Sequence, residues 1–351
     1  MAISVTSHNV TSHMPDNYDD YYYDNDNYNE NFLAACRVFL VCMYSFTCIF
    51  GVFGNGLVLI ILIFYQKVKM VTDIFLVSLA TADLCFLCTL PFWAYTAAEE
   101  WIFGTVLCKI IRGFYTLNLY GSMLTLTCVT IDRYFAIVQA TKAHISQAKR
   151  KDWGKTICIL VWVISLAFAL PQFIYSTQNT IDKSVCWTKY PSDRVALCVE
   201  GIQMVLGFFC PILVMMVCYS TIMNTLLKAK GFHKHKSLKI IFAIIMTFVL
   251  TQTPYNLLKL IRAAHRRIIV EYNFEHALIV TEAIAYFHSC LNPVLYFFIG
   301  AKFRKNLVRI LKNIGCTKHQ QIMEQWQMTE DDASKTYTGS HNVEETTMYP
   351  V

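Results

Sequence analysis

Residues 17–28 read NYDDYYYDNDNY, so Tyr18, Tyr21, Tyr22, Tyr23 and Tyr28 are threaded through aspartates. Residues 1–36 hold six acids and neither lysine nor arginine. Phenols and carboxylates set this closely can do two things. The carboxylates draw in guanidinium and ammonium groups at long range, and each tyrosine beside an aspartate is a candidate for O-sulfation on the secretory route. A sulfate would add a fixed negative charge and acceptor oxygens that suit arginine and lysine. The plainer alternative is an acidic disordered leader with no specific role. Asn9, in the sequon NVT, is a glycan acceptor on the same segment.

A second set of polar residues sits in apolar surroundings: Asn55 in GNGLVL, Asp83 in LATAD, Asn118, Ser122, and Asn292 before Pro293 in NPVLY. Polar groups at membrane depth are costly and so mark function or a polar network that specifies packing. Asp83, Asn118, Ser122 and Asn292 could hold water and a sodium ion, or serve as structure alone. Asp132-Arg133-Tyr134 places an arginine beside its own counter-ion, which can exchange partners at small cost and act as a switch. The alternative is an arginine that snorkels at a helix end. No paired catalytic acids, no nucleophile–base set and no CxxC pair occur, so neither an enzyme nor a zinc site is expected, and no cofactor. Sodium is the one metal the pattern suggests.

These residues need elements to hold them, and the composition names the solvent. The chain has 351 residues, 55% hydrophobic and 15% charged, against about a quarter charged in soluble proteins. Uncharged runs cover 38–66, 113–131, 156–181, 201–227, 240–258 and 283–301, and 74–98 is interrupted only by Asp83. Each is near the roughly 20 residues a helix needs to cross a bilayer, and β-barrel strands would be about half as long. The expected fold is therefore an all-α membrane protein with seven spans. Its parts are a tail over 1–36, a bundle over 37–300, and an amphipathic eighth helix with a cytoplasmic tail over 301–351.

Lysine and arginine set the orientation. Lys67 and Lys69, then Lys142, Lys149, Arg150 and Lys151, then the five lysines of KAKGFHKHKSLK, then Lys302, Arg304, Lys305, Arg309 and Lys312 fall on alternate sides of the spans. That side is cytoplasmic, which puts the tyrosine-rich N-terminus outside a plasma-membrane protein. No signal peptide is visible in residues 1–31, so the first span is expected to carry the tail across. The net charge of +6 needs no nucleic-acid partner.

Most of the 14 cysteines lie inside spans. Cys108 opens span three on the outer side and Cys186 lies in the second outer loop, where an oxidising exterior permits a disulfide. Two unpaired thiols are the alternative. Pro91, Pro171, Pro211, Pro254 and Pro293 each free a carbonyl inside a span and mark kinks, as pivots or as static packing.

The GN pair, Asp83, Cys108 with DRY, Trp162, Pro211 with Tyr219, and NPxxY together resemble the rhodopsin-like G-protein-coupled receptors over residues 37–312. TLPFW, the WIFG of 101–104 and HSCLNPVLY are similar to the chemokine receptors. LPFWAY, ATKAHISQAK, HKSLKIIF, VTEAIAYF, LNPVLYFFIGAKFRKN and the tail SHNVEETTM are closer still to the type-six C-X-C receptors, whose chemokine is made membrane-tethered on a mucin stalk. The resemblance implies a chemokine ligand, an inhibitory-class heterotrimeric G protein, and calcium and chemotactic signalling. A scavenger or adhesion receptor that binds chemokine without signalling is the alternative.

It further implies a pocket for the ligand's N-terminus, lined by Tyr44, Trp93, Tyr115, Tyr255 and Glu282, with the tail tyrosines Tyr18, Tyr21, Tyr22 and Tyr23 as a capture arm. Glu282 would take the terminal amine, or else pair with a neighbouring helix. Asp132, Arg133, Tyr134, Tyr219 and Tyr296 would form the G-protein switch. Three departures stand out. The last outer loop, around 264–277, has no cysteine to partner Cys36. Gln252 replaces the tryptophan common before the span-six proline, and Tyr134 stands where mammalian type-six receptors have phenylalanine.

Past span seven, AKFRKNLVRILKNIG puts Phe303, Leu307, Ile310 and Leu311 on one face and basic groups on the other, which suits a helix lying on anionic lipid. Cys316 is a palmitoylation candidate. Ser334, Thr336, Thr338, Ser340, Thr346 and Thr347 sit near acids and suit phosphorylation and arrestin binding, with a passive tail as the alternative.

Overall fold

The computed structural model describes residues 19–138, 147–180, 184–228, 236–264, 272–299 and 301–313. Helix α1 (Asp19–Ile60) continues through a π-helical turn at Ile61–Tyr65. Helices α2 (Val71–Leu87) and α3 (Leu90–Ala98) form one broken span, followed by α4 (Gly104–Val138) and α5 (Gln147–Tyr175). A hairpin of β1 (Ser176–Asn179) and β2 (Val185–Thr188) leads into α6 (Asp193–Met204). A second π turn, Val205–Phe209, joins α6 to α7 (Cys210–Lys228) as one span. Helices α8 (Lys236–Ala264) and α9 (Tyr272–Ile299) complete the bundle, and α10 (Ala301–Asn313) belongs to a separate unit beginning at Ala301.

Seven spans result, as the uncharged runs predict. Helix α1 begins at Asp19, within the stretch of residues 1–36 that the sequence reading assigns to the tail. Six spans are long and apolar enough to cross a membrane among the described residues: Ala34–Tyr65, Val71–Ala98, Lys151–Tyr175, Asp193–Thr225, Phe242–Arg262 and Ala277–Leu295. The remaining span, α4, is more polar because it faces protein. Thr116, Asn118, Ser122, Thr125, Thr127 and Thr130 are all buried along it. Large apolar side chains such as Ile49, Phe53, Ile159, Val217 and Leu250 point outward instead, the arrangement a lipid solvent favours.

Each proline removes a backbone N–H, yet α5, α8 and α9 run on through Pro171, Pro254 and Pro293. Between α2 and α3, ahead of Pro91, the Thr89 hydroxyl donates to the Phe86 carbonyl at 2.6 Å. In α9, Pro293 cannot donate to the carbonyl of Ser289, and Asn55 of α1 does so instead, Nδ2 to O at 2.9 Å. Gly54 permits this approach, since a Cβ there would lie 2.8 Å from Pro293. Gly207 plays the same part in the second π turn, where a Cβ would lie 2.4 Å from the Tyr120 ring.

Candidate functional site: an outer cavity, a polar core and an inner-face switch

The outer end is tied down first. Cys108 and Cys186 are bonded, joining the start of α4 to β2 across 78 residues, with Cα atoms 5.5 Å apart. Trp101 of the WIFG stretch is wholly buried; its backbone N–H donates to the Ser184 carbonyl at 2.8 Å and the Ser184 hydroxyl donates back to its carbonyl at 2.6 Å. Its indole N–H donates to the Gly104 carbonyl at 2.9 Å. The hairpin is thus fixed over the bundle mouth. Cys36 is unpaired, as expected from the absence of a cysteine in the last outer loop.

Under the hairpin lies a cavity of about 660 Å³ whose wall includes Trp93, Arg112, Gln172, Tyr190, Glu200, Tyr255, Lys259 and Glu282. Glu282 Oε1 accepts from the Tyr255 hydroxyl at 2.8 Å and from the Tyr286 hydroxyl at 3.1 Å. Two neutral donors therefore hold this carboxylate without cancelling its charge. Tyr286 is the hub of an aromatic layer, with Tyr115, Phe86, Tyr44 and Trp93 centred 4.8, 5.1, 5.6 and 6.1 Å from its ring. Of the five predicted pocket residues, Trp93, Tyr255 and Glu282 line the cavity. Tyr44 and Tyr115 are buried beside Tyr286 and are not part of its wall.

A charge network also belongs to the cavity wall. Lys259 Nζ lies 2.8 Å from Glu200 Oε2, joining α8 to α6. Tyr190 donates its hydroxyl to Glu200 Oε1 at 3.2 Å and accepts from Gln172 Nε2 at 3.2 Å. Burial first, and the Glu200 charge second, push the Tyr190 phenol well above its ordinary value, so it remains a donor. Arg112 donates through Nε to Thr188 Oγ1 at 3.0 Å and through Nη1 to the Cys186 carbonyl at 3.3 Å.

Deeper in the bundle, Asp83 is wholly buried and accepts from Asn118 Nδ2 at 2.9 Å and from Asn292 Nδ2 at 2.8 Å. His288 Nε2 approaches Asp83 Oδ1 to 3.9 Å, and His288 Nδ1 lies 2.9 Å from Gln252 Nε2. Ser122 Oγ and Asn118 Oδ1 are buried without a hydrogen-bond partner. They stand one helical turn apart on α4, so the network has oxygen atoms to spare. Among the described residues no cluster of three His, Cys, Asp or Glu side chains could hold a metal ion.

At the inner end, Asp132 Oδ2 lies 3.1 Å from Arg133 Nη2, and Thr72 of α2 bridges the pair: Arg133 donates to its hydroxyl, which lies 3.3 Å from Asp132 Oδ2 as donor. Tyr219 is buried with its hydroxyl unpartnered, and its ring is centred 5.6 Å from Phe242. Tyr134 packs against buried Ile222 of α7. Trp162 donates to Ser78 Oγ at 3.0 Å, fixing α5 on α2.

The model of the seven-transmembrane receptors of the rhodopsin family matches residues 54–296. C-C chemokine receptor type 9 of Homo sapiens is 40% identical over 325 residues, covering 89% of this chain and 87% of that one. C-C chemokine receptor type 6 of Homo sapiens is 38% identical, covering 81% and 79%, and type 7 is 38% identical, covering 82% and 78%. The chain belongs to the rhodopsin-family receptors, among the chemokine receptors. Members of this family are receptors and not enzymes. The relatives named are C-C receptors, so the likeness reaches the chemokine-receptor family and does not support the C-X-C branch that the sequence motifs suggest.

Several expected sites of this receptor lie outside the described residues: Asn9, Tyr18, Cys316, and Ser334, Thr336, Thr338, Ser340, Thr346 and Thr347. The side chains of Tyr21, Tyr22, Tyr23 and Tyr296 do so as well, although their backbones are helical. Conversely, sequence reasoning passed over Arg112, Glu200, Lys259 and Tyr286. The three charges bordered the uncharged runs and read as span edges; the cavity shows them instead as its wall.

Proposed function

We propose that this receptor binds a basic chemokine on its outer face and signals through an inhibitory-class heterotrimeric G protein to calcium release and chemotaxis. The observation that carries the reading is Glu282, a carboxylate oriented by two tyrosine hydroxyls at the wall of an open cavity, ready for an ammonium group. The acidic segment with Tyr18, Tyr21, Tyr22 and Tyr23, sulfated in this reading, first captures the basic chemokine surface, and Asn9 carries a glycan. The chemokine's N-terminal amine then reaches Glu282.

Signal transfer in this reading uses the polar core and the switch. Asp83, Asn118, Ser122 and Asn292 would hold a sodium ion in the resting state, which the spare oxygens of Asn118 and Ser122 fit. On activation Arg133 leaves Asp132 and, with Tyr219 and Tyr296, meets the G protein. The amphipathic α10 lies on anionic lipid, Cys316 is palmitoylated, and the phosphorylated tail recruits arrestin. The segments ATKAHISQAK, VTEAIAYF and SHNVEETTM support a C-X-C ligand of the membrane-anchored kind, through their similarity to C-X-C chemokine receptor type six.

The test is a panel of C-C and C-X-C chemokines on cells expressing the full chain, with surface binding and nucleotide exchange on inhibitory-class G protein read together. Binding with exchange for a membrane-anchored C-X-C chemokine supports the full reading. Exchange with C-C chemokines alone removes the C-X-C part. Binding without exchange makes the protein a scavenger or adhesion receptor.

A further inference from the structure

We propose that Arg112 is a specificity-determining anion site of the outer cavity, which takes an acidic side chain carried near the ligand's N-terminus. The proposal rests on the reading that a peptide N-terminus enters this cavity and pairs its amine with Glu282. It adds a second pole, of opposite sign, to the same wall.

The guanidinium is built for such a partner and has no carboxylate partner among the described residues. Its two hydrogen bonds go to neutral acceptors, the Thr188 hydroxyl at 3.0 Å and the Cys186 carbonyl at 3.3 Å. Among the described residues no carboxylate lies within 4.0 Å of it, whereas Lys259 in the same wall is paired with Glu200 at 2.8 Å. Arginine has five N–H donors in a planar fork, so donors on the Nη edge remain for a carboxylate. The group is partly buried, with Cζ 6.0 Å from the centre of the Trp93 ring. Ordering a cation here without a counter-ion has a cost that a bound carboxylate would offset.

The geometry also sets the ligand's pattern. The Trp93 ring centre lies 6.1 Å from that of Tyr286, whose hydroxyl is 3.1 Å from Glu282 Oε1. Two aromatic rings thus link the cationic and anionic poles within one cavity. A segment with a free amine at one end and a carboxylate a few residues along would match both. Glu200 and Glu282 in the same wall disfavour a multiply charged anion, so a single carboxylate is the better fit.

The experiment uses purified full-chain receptor and hexa-alanine amides carrying one glutamate at position two, three or four. Their glutamine counterparts and N-acetylated forms complete the set, and dissociation constants are measured by ligand-observed NMR. The best glutamate peptide should bind roughly tenfold tighter than its glutamine counterpart, as a charge-assisted pair would give. Arg112→Gln should abolish that preference while N-acetylation still weakens binding; Arg112→Lys should keep part of it. Glu282→Gln should show the converse, losing the amine effect and keeping the glutamate preference. Surface level and an intact Cys108–Cys186 bond, checked in each variant, exclude misfolding, and a purely structural Arg112 would weaken both peptides equally. Equal or absent binding of the glutamate and glutamine peptides to the wild type, or a preference that survives Arg112→Gln, overturns the proposal. A preference that holds while no chemokine activates the receptor would sink the chemokine reading alone.

Discussion

Asn55 of α1 donates to the carbonyl of Ser289 in α9 at 2.9 Å, and that carbonyl is the one Pro293 deprives of its helical N–H. The same amide also donates to the Gly51 carbonyl at 3.0 Å. One side chain therefore repairs the proline defect and pins the first span to the seventh. The contact needs Gly54, whose missing side chain lets Pro293 approach.

Asn55→Ala should leave the Ser289 carbonyl buried and unsatisfied, at a cost of about 1–3 kcal/mol. Gly54→Val should force the two helices apart and lower surface expression further. Thermal inactivation of detergent-solubilised receptor checks both, and an unchanged midpoint for Gly54→Val would show that α1 and α9 do not pack this closely.

Breaking the outer tie should be severe where a bond exists and mild where none does. Cys108→Ser or Cys186→Ser frees the hairpin from α4 and should abolish surface expression or ligand binding, the loss expected for a native disulfide being about 2–5 kcal/mol in secreted domains. Cys36→Ser should retain at least most of the binding, since that thiol is unpaired. Surface staining with radioligand saturation distinguishes the two classes.

The Glu200–Lys259 pair joins α6 to α8 beside the cavity at 2.8 Å. Lys259→Glu should place two carboxylates together and reduce binding and stability. The exchange of both, Glu200→Lys with Lys259→Glu, should recover much of the loss, because Tyr190 can turn its oxygen toward the new ammonium group. A double-mutant cycle on thermal stability should return a coupling of about 0.5–3 kcal/mol. A coupling of zero would mean the pair is held apart by water.

Arg133 is paired with Asp132 and bonded to the Thr72 hydroxyl, contacts that restrain it in the proposed switch. Arg133→Ala should keep chemokine binding close to normal and lose G-protein activation. Asp132→Asn should raise activity without ligand, since the restraining charge is gone. Tyr134→Phe should change signal strength only, because its ring packs on Ile222 and the ion pair does not involve its hydroxyl. Surface binding and nucleotide exchange measured in the same cells check all three; full exchange by Arg133→Ala would reduce the arginine to a helix end.

Chain composition alone determined the number of spans, because a bilayer demands long uncharged helices, and the placement of lysine and arginine predicts which way they face. The Cys108–Cys186 bond was legible for a similar reason, since the expected topology puts both thiols on one, oxidising side. Asp83, Asn118 and Asn292 could be picked out because a polar group in hydrocarbon needs a reason. Side-chain partners were another matter. Arg112, Glu200 and Lys259 each end an uncharged run, and a charge at a span edge looks the same whether it meets water or a cavity. Tyr286 is one aromatic residue among many until the packing of five rings makes it the hub beside Glu282. Even Asn55 read only as one polar residue of the spans and part of a GN pair, with no partner named. Its acceptor on α9 lies 234 residues away and exists only because Pro293 empties it and Gly54 brings the two helices into contact, and such a meeting of distant backbones is decided by tertiary structure alone.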